Sequence, residues 1–150
     1  MSNELEIATR YFINKLQPDT LKLQKLLYFA QGASFCINDE ELFPEEIEAW
    51  VHGPVVPVVY HKYKKHGYNP ITTKYDIQGI TEAQLEVLNT VVDAYGMYDG
   101  RQLEEITHRQ TPWKYARQGL DPDERSDKTI PKDVICEYFL GLMFQPREEA

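Results

Sequence analysis

The sequence has few of the residues that cross-link a small fold or mark an export route. Its 150 residues include two cysteines, Cys36 and Cys136, which are too few for a disulfide framework. Both lie among apolar neighbours, so we expect buried free thiols in a reducing compartment. The stretch from Met1 to Glu6 has no basic segment followed by an apolar one, and no export signal is expected.

Long apolar runs and basic charge are also scarce. No stretch approaches the roughly 18 apolar residues that cross a bilayer, so no membrane association is expected. The chain has 24 acidic and 16 basic side chains and a formal net charge of -8. Non-specific nucleic-acid affinity comes largely from Lys and Arg, so this balance argues against a nucleic-acid partner. A cytoplasmic soluble protein is the class that remains.

The motifs that signal catalysis or metal binding are absent as well. The sequence has no Cys-x-x-Cys, His-x-x-x-His or His-Glu-x-x-His pattern and no glycine-rich phosphate loop, so neither a metal nor another cofactor is expected. Cys36 and His52 offer a thiol–imidazole pair, but Cys36 follows an apolar helix and a packed thiol is favoured. The carboxylates from Asp39 to Glu48 favour a solvated face over an acid/base or cation site, because no calcium-loop glycine accompanies them.

What the sequence does contain is the pattern of a mainly α fold. Hydrophobic residues make up 42% of the chain, and a chain of this length can bury about two-thirds of its unfolded surface. Apolar residues recur at three- and four-residue spacings in most segments. We therefore predict a compact, mainly α single domain over residues 1–150, with a short strand or small β-hairpin. Residues 145–150 are expected to form a frayed tail.

Two predicted helices begin the chain. The stretch from Leu5 to Leu16 has helical spacing. Asp19 then caps a second helix that runs from Leu21 to about Phe35. This second helix is apolar around most of its circumference, which is typical of a helix at the centre of a core. Lys22 and Lys25 are left as its charged edge.

A strand and a turn follow the second helix. Apolar and polar residues alternate from Glu46 to Val51, which predicts a short strand. The sequence His52-Gly53-Pro54 ends it, and Pro54 is placed to open a new helix at its first turn. The stretch from Tyr68 to Gly79 alternates weakly and is a candidate to pair with this strand.

Later segments have helix-start signals. Thr81 to Gln84 forms a capping box that starts a long helix, and Asp99 to Gln102 is a similar start for a shorter one. Pro112-Trp113 opens one or two further turns. Ile130-Pro131 begins the last predicted helix.

Aromatic side chains are plentiful, with ten tyrosines alone. Trp50 lies on the polar face of its predicted strand, and Tyr60 lies on the outward side of the next helix beside Lys64. For both aromatics an interface role and a core role stay open. Trp113 follows a proline at a helix start, where packing into the core is favoured. The run from His61 to His66 interleaves lysine with tyrosine as nucleic-acid surfaces do, yet a solvated helix edge fits this short run as well.

Three blocks of sequence, in order, resemble one known family. The segment from Leu21 to Gly32 (LKLQKLLYFAQG) resembles the signature helix of the Panacea-domain proteins, the SocA-like or GepA-like phage-associated family. The segment from Glu48 to Tyr60 (EAWVHGPVVPVVY) is similar to the second block, and residues from Leu103 to Arg117 to the third. The pair Val51-His52 departs from the basic or aromatic pair expected there.

The resemblance implies antitoxin activity. Members of this family are typically encoded beside a small toxin gene, often on a prophage, and neutralise the toxin by direct binding; in some, the bound toxin is delivered to a protease. We therefore expect a non-enzymatic antitoxin that binds a cognate protein toxin stoichiometrically. The net charge of -8 predicts a toxin with a basic surface, whose association slows as salt rises.

The motif residues divide into a binding group and a scaffold. The residues expected to bind the toxin are Trp50, His52, Tyr60 and Lys64. The residues expected to form the motif scaffold are Leu23, Lys25, Leu26, Tyr28, Gly53, Pro54, His108 and Trp113.

Two other functional classes stay open. A small hydrolase-like enzyme that reverses a toxin's modification would need Glu48, His52 or His108 as acid/base groups in a pocket. An operator-binding autoregulator would need more basic charge than this acidic chain carries.

Overall fold

The chain folds as helices packed around one central helix, with a small hairpin beside it. A computed structural model describes residues 1–143. Over these residues the elements are α1 (Asn3–Leu16), α2 (Thr20–Asn38), β1 (Glu48–Trp50), β2 (Gly53–Val55), α3 (Pro57–Tyr63) with a 3-10 turn at Lys64–His66, α4 (Glu82–Tyr95), α5 (Gly100–His108), α6 (Thr111–Ala116) and α7 (Lys132–Met143). The predicted mainly α fold with a small β-hairpin is confirmed. The tail predicted at 145–150 lies outside the described residues.

The central helix is α2, as its apolar circumference predicts. Asp19 caps its start by accepting a hydrogen bond from the Lys22 amide at 2.8 Å. Helices α1, α4, α5 and α7 all pack against it. Leu23, Leu26 and Tyr28 have no exposed surface, and each contributes the roughly 1.5–3 kcal/mol of a fully buried large side chain. No helix within residues 1–143 has both the length and the apolarity to cross a membrane.

Helix α7 approaches α2 closely at a glycine. A Cβ built on Gly32 would lie 2.3 Å from the Phe139 ring, far inside van der Waals contact. Phe139 packs edge-to-face against Tyr28, with ring centroids 5.5 Å apart, and against Phe29, with centroids 6.3 Å apart. Gly32 therefore makes room for the aromatic cluster that joins the two helices.

The hairpin occupies the place of the predicted strand and part of the predicted helix. Strands β1 and β2 pair antiparallel, with Ala49 opposite Pro54. The prediction that Pro54 opens a helix is wrong, because Pro57 takes the first helical position of α3. Proline has no N–H to donate, but the pairing of Ala49 with Pro54 does not require one. The backbone groups of this pair point away from each other, and the Ala49 N–H donates to the Lys128 carbonyl at 2.8 Å instead.

The neighbour of β1 on its other side is the segment at 128–130. The Ile130 amide donates to the Ile47 carbonyl at 2.8 Å. The predicted pairing of residues 68–79 with the strand is wrong. That stretch crosses α1 instead, where the Asn14 side chain bonds both the amide and the carbonyl of Tyr75, at 2.9 and 2.8 Å. One side chain thus supplies the backbone partners that a neighbouring strand would have supplied.

The two cysteines are free but only half-buried. The expectation of free thiols is confirmed, and the expectation of full burial is wrong. Loss of hydration raises the pKa of both the Cys36 and the Cys136 thiol, which keeps them in the less reactive protonated form.

Gly32→Ala tests the close approach of α7 to α2. The new methyl group would collide with a packed aromatic ring, and we expect a loss of about 1–3 kcal/mol in the free energy of unfolding. Gly141→Ala in α7 is the matched control, because no atom of residues 1–143 lies within 4 Å of its Cβ position; it should gain about 0.5–1 kcal/mol from helix propensity. Urea denaturation measures both. Equal effects at the two glycines would contradict the described packing.

Candidate functional site

An open groove of about 1060 Å³ runs along the hairpin, the start of α2 and the end of α3. The four residues predicted to bind a toxin all line it: Trp50, His52, Tyr60 and Lys64. The predicted scaffold residue Lys25 lies in its floor. Tyr68 and Arg125 also line the groove, and sequence reasoning missed both. The groove therefore brings one end of the signature helix and the second sequence block to a single surface.

An aromatic pair forms one wall of the groove. The rings of Trp50 and Tyr60 meet edge-to-face, with centroids 4.9 Å apart. The Trp50 indole Nε1 donates to Glu48 Oε1 at 2.9 Å, which fixes the ring. Both aromatic side chains are half-buried, so each is packed on one side and open to solvent on the other. Tyr68, which is 84% exposed, adds a third aromatic side chain to the groove. The sequence could not predict its position, because the residues after Gly67 have no helical or strand periodicity.

A buried lysine lies beneath the hairpin. Lys25 has no exposed surface, and its Nζ donates to the Pro54 carbonyl at 3.1 Å. The prediction that Lys25 belongs to a charged edge of α2 is wrong, because the hairpin covers it. Loss of hydration lowers the pKa of Lys25 to about 7, although Glu104 and Asp19 favour its charged form.

A buried arginine holds the opposite edge of the hairpin. Arg117 is 4% exposed; its Nη1 donates to the Ala49 carbonyl at 3.0 Å and its Nη2 to the Asp121 carbonyl at 3.2 Å. Ala49 and Pro54 face each other across the two strands. Lys25 and Arg117 therefore bind the carbonyls of paired residues from the two outer edges of the hairpin.

The neighbour of Lys25 in α2 satisfies a further backbone group of this region. Gln24 is 2% exposed, and its Oε1 accepts from the Val56 amide at 2.8 Å. Within residues 1–143 its Nε2 has no partner. Gln24 and Lys25 are polar residues in the otherwise apolar helix α2. They are needed there because they bond the backbone groups of Val56 and Pro54, at and just after the edge strand β2, that point away from β1.

The turn of the hairpin rests on Trp113. This indole is 7% exposed, so its predicted place in the core is confirmed. Its Nε1 donates to the Trp50 carbonyl at 2.7 Å. His108 stacks on the ring with centroids 4.2 Å apart, and the Arg117 guanidinium lies 5.0 Å from the ring centre. Trp113 thus positions the backbone of Trp50, the residue that faces the groove.

Glu104, a residue of α5, links that helix to His52 in the turn of the hairpin. Its Oε2 lies 3.1 Å from His52 Nδ1 and 3.9 Å from His108 Nε2. Burial lowers the pKa of His108, and the Glu104 carboxylate opposes that shift. Sequence reasoning missed Glu104, although its spacing of four residues from His108 places both on one helix face. Within residues 1–143 no group of three metal-ligating side chains is placed to hold an ion.

The remaining scaffold residues lie where the hairpin and α2 meet the core. The Tyr28 hydroxyl donates to Gln110 Oε1 at 2.8 Å, in a fully buried setting. Gly53 has a φ of 110°, a backbone angle that glycine adopts without steric cost. This angle brings the turn against Lys25 and the Thr107 side chain.

Gly53→Ala tests the fit of the turn against α2 and α5. A Cβ there would lie 2.6 Å from Lys25 Cε and 2.9 Å from Thr107 Oγ1. Collision and backbone strain together should cost about 3 kcal/mol in unfolding free energy. Gly79→Ala is the matched control, since its φ of 75° is also positive but none of the described residues places an atom within 4 Å of its Cβ position; strain alone costs about 1 kcal/mol. Thermal and urea denaturation give the comparison, and equal losses would contradict the close fit.

Lys25→Met tests the buried lysine through the pH dependence of stability. A lysine pKa of 10.5 in the unfolded chain falls to about 7 in the fold. Between these values the unfolded chain binds more protons, so the free energy of unfolding rises with pH. From pH 7 to pH 9 the wild type should gain about 2 kcal/mol relative to Lys25→Met, which has no group to titrate there. The same pH response in both proteins, measured by urea denaturation, would mean that Lys25 stays charged in the fold.

Residues 23–114 of the chain match the family described as "Antitoxin SocA-like, Panacea domain". This stretch contains most of α2, the hairpin, α3, α4 and α5. Antitoxin SocA of Caulobacter vibrioides (strain NA1000 / CB15N) is 47% identical over 47 residues, a match that spans 31% of this chain and 25% of that relative. No solved structure matches the chain. With more than half of its length matched, as the three sequence blocks predict, the chain belongs to the SocA-like antitoxin family that carries the Panacea domain.

Proposed function

We propose that the chain is an antitoxin that neutralises a cognate protein toxin by stoichiometric binding at the groove. The observation that supports this most strongly is the convergence of Trp50, His52, Tyr60 and Lys64 on one open surface. These residues come from the part of the chain that matches the antitoxin family. Binding alone blocks the toxin in this account, so no residue needs to act as a nucleophile or a general base.

The groove has the properties of a preorganised protein-binding surface. Trp50 is held through its ring by Glu48 and through its carbonyl by Trp113. Because these bonds exist before a partner arrives, binding loses little side-chain entropy. Aromatic residues with one face packed and one face open are typical anchors of protein–protein interfaces.

The rest of the surface favours a toxin with basic character. The chain has a net charge of -8, and within residues 1–143 no Asp or Glu side chain is buried. The acidic excess is therefore exposed to solvent, where it attracts a basic protein over distances of about a Debye length.

Trp50→Ala and Tyr60→Ala test the groove as the toxin site. In co-expression with the cognate toxin, each change should weaken binding roughly thirtyfold, which corresponds to about 2 kcal/mol for an interface anchor. The double variant should fail to rescue growth and should not co-purify with the toxin. Tyr115→Ala is the control, because Tyr115 is 48% exposed and lies outside the groove lining.

Two experimental results would reject this function. If both groove variants rescue growth and keep the toxin in complex, the toxin binds elsewhere. If a toxin-poisoned reaction recovers at an amount of antitoxin far below one molecule per toxin, the chain acts as an enzyme rather than as a stoichiometric binder. Melting curves of each variant establish that the fold is retained.

A further inference from the structure

The two cysteines of the chain lie on helices that pack against each other. Cys36 belongs to the last turn of α2 and Cys136 to the first half of α7. They are the only cysteines in the sequence. Both side chains are free and half-buried, so neither is sealed from small molecules in solution. Whether they face each other depends on the direction and the register of the two helices.

Contacts at two levels show that α7 runs antiparallel to α2. Phe139, in the second half of α7, packs on Tyr28 and lies beside Gly32, both well inside α2. Lys132, at the start of α7, lies beyond the end of α2, where its Nζ donates to Glu41 Oε1 at 2.9 Å. Residue numbers therefore rise along α7 as they fall along α2.

The register of this packing brings the two cysteines opposite each other. Cys36 lies one turn after Gly32, about 6 Å along the axis, and on the same face of α2. Cys136 lies just under one turn before Phe139, about 4.5 Å along the axis, and on the face of α7 that also carries Lys132. Because the two helices are antiparallel and meet at Gly32 and Phe139, the cysteines come to within about 1.5 Å of the same level.

The electrostatic surroundings of Cys36 agree with this placement. Loss of hydration raises the pKa of the Cys36 thiol, and the charge of a Cys136 thiolate raises it further. The effect of one charge on another falls with distance, so the two sulfur atoms are neighbours. The axes of packed helices lie about 8–10 Å apart, with Cα atoms about 2.3 Å from each axis. Facing Cα atoms are then close to the roughly 4.4–6.8 Å that a disulfide spans.

We propose that Cys36 and Cys136 form a reversible disulfide, made by thiol–disulfide exchange with low-molecular-weight disulfides of the glutathione class. The thiolate of one cysteine attacks a sulfur of the small disulfide, which gives a mixed disulfide and releases one small thiolate. The thiolate of the other cysteine attacks the protein sulfur of the mixed disulfide and releases the second small thiolate. The protons lost by the two protein thiols are taken up by the two released thiolates, so atoms and electrons balance.

The disulfide fastens α7 to α2 at a place remote from the groove. It closes a loop of about a hundred residues, which restricts the unfolded chain and so stabilises the fold. The residues of α2 that line the groove end at Lys25, about three turns and roughly 16 Å before Cys36. We therefore expect the cross-link to raise stability without reaching the groove.

Exposure of the full chain to glutathione disulfide at alkaline pH tests the pairing. Intact-mass spectrometry should show the loss of two hydrogen atoms, and a non-reducing peptide map should join Cys36 to Cys136. The melting temperature should rise by roughly 5–15 °C, and dithiothreitol should reverse the rise. Unmodified thiols, stable glutathione adducts, covalent dimers, or an oxidised chain that melts no higher than the reduced one would each overturn the inference.

Moving one thiol around α7 provides the matched control. Cys136→Ser combined with Glu137→Cys keeps two cysteines on the same two helices, but residue 137 is exposed and lies about 160° around the helix from Phe139. This variant should stop at the mixed disulfide and gain no melting temperature, whereas the wild type should hold about tenfold less of the mixed form. Equal cross-linking in the two proteins would contradict the register of α2 and α7 and overturn the inference.

Discussion

Two buried basic side chains, Lys25 and Arg117, hold a two-stranded hairpin from its outer edges, and the rest of the site depends on this interaction. Lys25 Nζ donates to the Pro54 carbonyl, and the Arg117 guanidinium donates to the carbonyl of Ala49, the residue paired with Pro54. A hairpin of two three-residue strands is not stable by itself in water. Burying a polar group is unfavourable unless it is hydrogen-bonded, so these contacts require the hairpin to keep one position against α2 and α6.

That fixed position determines what the surface presents. Gly53 lets the turn approach Lys25, and Trp113 holds the Trp50 carbonyl. The Trp50 ring is thereby set against Tyr60 on α3, and the two rings form the wall of the groove. The core, the hairpin and the groove are thus linked through backbone hydrogen bonds, so changes in buried residues alter the shape of the groove.

Local signals in the sequence predict much of the fold. Asp19 marks the start of α2, and the capping boxes at Thr81 and Asp99 mark α4 and α5, because each cap is made by residues three apart in the chain. The family blocks also identify the four residues that meet in the groove. The burial of Lys25 and the second neighbour of β1 escape prediction because both depend on contacts distant in sequence, whereas the strand at Pro54 escapes it because Pro57, three residues on, is the proline that opens α3. Lys25 reaches the hairpin across 29 residues, and β1 finds a second neighbour at 128–130, which no local pattern encodes.

If a toxin covers the groove, as proposed, hydroxyl-radical footprinting of the complex detects it directly. Trp50, Tyr60 and Tyr68 line the groove, whereas Tyr115 and Met97 are exposed outside it. On addition of the toxin, the three groove aromatics should lose reactivity while Tyr115 and Met97 keep theirs. Loss of reactivity at Tyr115 or Met97, with Trp50, Tyr60 and Tyr68 unchanged, would contradict the account.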